Sequence, residues 1–182
     1  MLTIAAVAAA ILLAAAAWRD IAARVIPDEI CAALALLGVL VRASEGLSAL
    51  AVTLVAALVL FLALLPLAMY GLMGGGDLKL ATAVALGLPP VGAYQLMVAT
   101  ALAGGVLALI YMLLARFLRP SVAAGRNALP VVPPASPRRS GMSLLRRVLA
   151  AEAWRLRRRG PLPYGVAIAA GGVLVLFRSS GV

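Results

Sequence analysis

The chain has 182 residues, 65% of them hydrophobic and only 12% charged, with a mean hydropathy of +1.11 and a formal net charge of +10. Such a balance excludes a soluble globular domain and implies an all-α membrane protein, because backbone polar groups in lipid are best satisfied within helices. Histidine is absent and Cys31 is the only cysteine, which excludes Ser-His and Cys-His nucleophile pairs, His-ligated zinc, paired-cysteine metal motifs and an internal disulfide. No metal and no cofactor is therefore expected, and any acid-base chemistry falls on the carboxylates or on Lys79.

Apolar runs predict six helices, at 2–18, 29–42, 47–70, 78–90, 94–115 and 162–177, in one integral-membrane domain spanning residues 1–182. The first run ends in small residues, as a cleaved signal would. It lacks a basic stretch ahead of it, so it is read as a retained helix. The fourth and sixth are short, roughly 20 Å at the helical rise, and suit the inside of a bundle or a locally thinned bilayer.

Fourteen of the sixteen basic residues follow the first, third and fifth runs: Arg19, Arg24, Lys79 and eleven arginines between 116 and 159. Only Arg42 and Arg178 fall on the other side. The positive-inside rule then makes the arginine-rich face cytoplasmic and puts both termini outside, which brings Asp20 and Asp77 to the same face. Residues 116–160 read as a basic, Pro-rich cytoplasmic loop followed, at 142–159, by a helix with Leu145, Val148, Leu149 and Leu156 among arginines, suited to an anionic lipid surface. With neither aromatic stacking surfaces nor a reading module, this arginine run is not expected to bind nucleic acid.

Five of the six acidic residues, all but Glu29, have a reading of their own. Glu45 and Glu152 read as solvated or paired with nearby arginines, and Asp28, after Pro27, as a helix cap. Asp20, between Arg19 and Arg24, reads alone as a juxtamembrane charge paired with one of them. Asp77, in "GLMGGGDLKL" (71–80), reads either as an N-cap after a glycine hinge or as a catalyst. Together the two aspartates fit another role: paired carboxylates that resist joint ionisation can split one proton, so that one acts as acid while the other deprotonates a water. Such a dyad needs no histidine, cysteine or metal, and glycines at 74–76 would allow a neighbouring helix or an extended peptide to come close.

The stretch Gly74-Gly75-Gly76-Asp77-Leu78-Lys79 resembles the GxGDxK signature of the type IV prepilin peptidases, membrane-embedded aspartyl proteases. "DIAARVIPDEI" (20–30) is similar to that family's first catalytic segment, and "PYGVAIAAGG" (163–172) to the start of its last helix. The resemblance implies Asp20 and Asp77 as the catalytic pair, with Gly74 and Gly76 shaping the loop that delivers Asp77. Lys79 would be an active-site residue or a face anchor, and Ile26, Pro27, Pro163, Tyr164 and Gly165 would support the site. Asp28 replaces the family's usual asparagine. Lacking the cysteine-bearing cytoplasmic insert of the bifunctional members, the chain looks like the small single-activity branch of Flp/Tad pilus systems.

The resemblance implies an endopeptidase of the bacterial cytoplasmic membrane that removes the leader of a prepilin or pseudopilin at the cytoplasmic face, with membrane lipid as its other partner. Two readings from other classes stand beside it: a small ion- or proton-coupled transporter component, which would bury its acids at mid-membrane depth, and a non-enzymatic pilus assembly scaffold. Within the enzyme class, a Ser-Lys dyad on Lys79 would draw its serine from another segment, with Ser121, Ser136, Ser140 and Ser143 on the same side.

Overall fold

In the computed structural model, residues 2–117 and 163–179 are described, and every element among them is a helix. These are α1 (Leu2–Ala23), α2 (Asp28–Ser44), α3 (Leu47–Met69), α4 (Gly75–Ala85), α5 (Pro90–Phe117) and α6 (Tyr164–Ser179). The chain divides into two compact units, residues 1–108 with 163–182 and residues 109–162. The first contains the candidate site and its packing; of the second, the described part is the end of α5. The predicted loop and surface helix, with Glu152, lie outside the described residues apart from 116 and 117, which finish α5.

Three helices, Thr3–Ala23, Leu47–Met69 and Pro90–Leu114, are long and apolar enough to cross a membrane. Their outward positions are large and apolar, including Ile4, Ile11, Val55, Val59, Leu102 and Ile110, as expected where lipid rather than water is the neighbour. The short α4 is the opposite case. Leu78, Leu80, Ala81, Ala83, Val84 and Ala85 are all buried, so it is apolar nearly all round and sits inside the bundle, packed by α2, α3 and α6.

Close packing at glycines holds α4 in place. A Cβ at Gly38 of α2 would lie 2.6 Å from the Gly87 nitrogen and 2.8 Å from its Cα, just beyond α4. On the other side a Cβ at Gly172 of α6 would reach within 3.1 Å of Leu13 and 3.4 Å of Val84. Glycine at the first crossing permits a backbone approach that any side chain would block, and at the second it leaves room for the neighbouring side chains, the usual device where helices associate without a hydrophobic driving force. At the end of α2 remote from Asp28, Arg42 is buried; its Nε donates to Thr53 Oγ1 of α3 at 2.9 Å and its Nη1 pairs with Glu45.

The predicted runs match the helices among the described residues in number and order, with two informative differences. α1 continues past Trp18 to Ala23, because residues 19–23 contain no helix breaker. It stops where Arg24 turns to φ 57°, its N–H bonding the Asp20 carbonyl at 2.9 Å. The fourth helix ends at Ala85 rather than at 90, and Pro90 opens α5, where its missing N–H leaves no bond unmade.

Gly38→Ala should destabilise the bundle by about 1–3 kcal/mol, the range for overpacking a filled site. Gly105→Ala, whose Cβ meets nothing within 4 Å, should be neutral or mildly stabilising. Thermal unfolding of both variants in one detergent checks the contrast.

Candidate active site

Asp20 reaches its position through the face of α1 that it shares with the core. Ala6, Ala9, Leu13 and Ala16 are buried at spacings of three and four residues, and Asp20 is the next position on that stripe, only 6% exposed. Asp77 arrives from the start of α4. Gly74 is the N-cap and Asp77 the third helical residue, and its carboxylate turns back to accept the Gly74 backbone N–H, as in a capping box. Of the two readings given for Asp77, the N-cap one is thus corrected: Gly74 is the cap, and the carboxylate satisfies the helix start from inside it.

Both aspartates line one cleft of about 300 Å³ with Arg24, Val25, Ile26, Asp28, Gly74, Gly75, Gly76 and Lys79. Of the predicted site residues, Asp20, Ile26, Gly74, Gly76, Asp77 and Lys79 therefore meet. Gly165 of α6 closes the cleft from behind; a methyl group there would lie 2.8 Å from Asp20 Oδ2 and 3.0 Å from Ile26 Cδ1. Ile26, itself buried, also fills the space beside Gly76, where a Cβ would meet its Cβ at 3.4 Å. Pro163 is fully buried ahead of α6, while the Tyr164 ring turns toward Gly104 of α5. Pro27 is the N-cap of α2.

Asp28 departs from expectation. It is the first residue of α2 and makes no side-chain cap. Both its oxygens instead accept from Lys79 Nζ, each at 2.9 Å. The pair is exposed, so its strength is modest; its effect is to tie the α1–α2 turn to the start of α4 across the cleft mouth. The Lys79 ammonium is thus held by Asp28; no serine lines the cleft among the described residues, and Ser121, Ser136, Ser140 and Ser143 lie outside them. Arg24 and Asp28 are the cleft residues that sequence reasoning assigned elsewhere, to topology and to capping. For Arg24 the available signal was its place one helical turn after Asp20.

The electrostatics follow from this crowding. Asp77 lies at the mouth of α4, outside the helices long enough to cross a membrane. Burial, then the neighbouring Asp20 charge, push its carboxyl up from the ordinary 3.8 to about 6, against the lowering effects of the Gly74 N–H and the Arg24 charge. A carboxyl whose proton affinity is raised beside a second acid in one cleft can share a single proton with it, the condition for paired acid and base action.

Residues 7–113, from α1 through most of α5, match the model of the type IV leader peptidase family. No curated protein and no solved structure matches the chain.

Because the carboxyl of Asp77 is raised, its contribution to stability is fully present below its ordinary value of 3.8 and is lost as pH rises through about 6. Asp20→Asn removes the like charge and should lower the Asp77 midpoint, leaving the part due to burial. Difference infrared titration of the carboxyl band in the wild type and the variant measures this; an unchanged midpoint would show that the two acids are uncoupled.

Proposed function

Since this chain belongs to the type IV leader peptidase family, we propose that it is an aspartic-type endopeptidase in which Asp20 and Asp77 form the catalytic dyad. The observation that carries the proposal is their convergence: two acids from distant parts of the sequence line one cleft, one buried on the core face of α1 and the other with its proton affinity raised toward neutrality.

In the proposed reaction the ionised carboxyl takes a proton from a water, and the hydroxide equivalent attacks the scissile carbonyl carbon. The protonated carboxyl hydrogen-bonds the carbonyl oxygen. Proton transfer to the leaving nitrogen then breaks the C–N bond, so that water is divided between the new carboxyl and the new amine with no covalent enzyme intermediate. The glycines at 74–76 leave backbone open at the mouth of the cleft, where an extended peptide can lie close. Both acids stand at helix ends, Asp20 in the last turn of α1 and Asp77 in the first of α4. That position favours a substrate cut at the membrane boundary over an ion carried through mid-membrane.

The substrate we propose is a prepilin or pseudopilin whose apolar segment lies in the bilayer beside the bundle. The single cysteine favours the Flp/Tad branch and a single activity, leader removal without N-methylation. The enzyme would be a multi-pass protein of the bacterial inner membrane, with the cleft on the arginine-rich cytoplasmic side and both termini outside.

Mass spectrometry of a co-expressed Flp-type prepilin should find the leader removed by the wild type. Asp20→Asn and Asp77→Asn, at matched membrane levels, should each cleave about 10²–10⁴-fold more slowly, the usual contribution of a positioned acid or base. Cleavage surviving either change would rule out the dyad. Gly165→Ala should leave the protein folded yet lower kcat about a hundredfold by displacing the Asp20 carboxylate, which single-turnover assays on purified enzyme would read.

A further inference from the structure

Arg24 occupies a backbone conformation that suits glycine. Its φ of 57° is the only positive value at a non-glycine residue among the described residues, and it ends α1 through the bond from its N–H to the Asp20 carbonyl. A left-handed residue at a helix end is ordinarily glycine or asparagine, so an arginine here points to a use for the side chain. That side chain lines the cleft with both aspartates, and its Nε and Nη1 atoms are cut off from solvent, as is Oδ2 of Asp20. A guanidinium stays protonated even when buried, so the cleft has a permanent positive charge beside two carboxyls.

We propose that Arg24 is a positioning residue for the dyad: its fixed charge, delivered by the left-handed turn, keeps the Asp20–Asp77 pair in the singly protonated state that water activation requires. The inference rests on the dyad reading above and deepens it. Two carboxyls and no cation would hold their protons too tightly in a buried cleft, leaving no base at neutral pH. Around Arg24 the other charged groups of the cleft are Asp20 from α1, Asp28 from α2, and Asp77 and Lys79 from α4; α6 brings Gly165 and no charge. Lys79 is occupied with Asp28 at the mouth, which leaves the counter-charge for the pair to Arg24. The lowering effect of Arg24 on Asp77 agrees with that role.

The test separates charge from backbone. Arg24→Gly suits the φ value and removes the charge, Arg24→Gln removes the charge alone, and Arg24→Lys keeps it. Each variant is purified in detergent, checked for a monodisperse folded state, and assayed for prepilin cleavage across pH beside the wild type and Asp77→Asn. Both limbs of the pH–rate profile should move upward in Arg24→Gly and Arg24→Gln by about one unit or more. Activity at neutral pH should then fall roughly tenfold and be recovered at higher pH, while Arg24→Lys stays close to wild type. An Arg24→Gly enzyme with an unmoved profile would overturn the proposal, as would activity lost equally at all pH in all three variants. Cleavage retained by Asp77→Asn would overturn the dyad and this inference together; an unmoved Arg24→Gly profile beside an inactive Asp77→Asn would sink the inference alone.

Discussion

Two carboxyl groups brought together away from water repel one another and each resists ionisation, and the surroundings of the cleft are shaped by that cost. The apolar stripe of α1 drives Asp20 inward as if it were one more core residue. The glycine-led start of α4 gives Asp77 a backbone N–H to accept. Arg24 puts a cation beside both, and Lys79 with Asp28 forms a neutral pair at the mouth. Remove the packing and nothing in the chain would hold the two acids in one place, since they sit on helices that meet only through the bundle.

That packing centres on α4. It is short, buried on nearly every side, and bears one of the two acids on its first turn. Glycines let neighbours come close: Gly38 lies backbone to backbone against Gly87, Gly172 against the side chains of Leu13 and Val84, and Gly165 against the side chain of Asp20. The Gly38–Gly87 contact is rigid because it has no side chain to repack. The precision of the cleft therefore comes from absent side chains as much as from present ones.

Much of this was legible in the sequence. Hydrophobic runs gave six helices in their order, and the uneven spread of arginines put Asp20 and Asp77 on one face without any structural information. What the runs could not show was where a helix ends once charge begins. Residues 19–23 look like a loop by polarity, yet continue α1, and only that continuation puts Asp20 on the buried stripe. Asp28 looked like a cap because aspartate after Pro27 usually is one; its partner Lys79 lies far along the chain, and pairings of that kind depend on tertiary packing rather than on local preference. The same holds for the contact of Gly165 with Asp20, which joins the two ends of the molecule.

The shortness of α4 carries a consequence for the setting of the protein. A helix of eleven residues is about 16 Å long, near half the hydrocarbon thickness of a bilayer. Because it is wrapped by its neighbours, its length is not matched to lipid at all. Hydrophobic matching falls on α1, α3 and α5, whose outer surfaces are apolar. Bilayers of different thickness would be accommodated by tilting of those outer helices, while the spacing between the two acids, fixed by contacts inside the bundle, is insulated from the composition of the membrane around it.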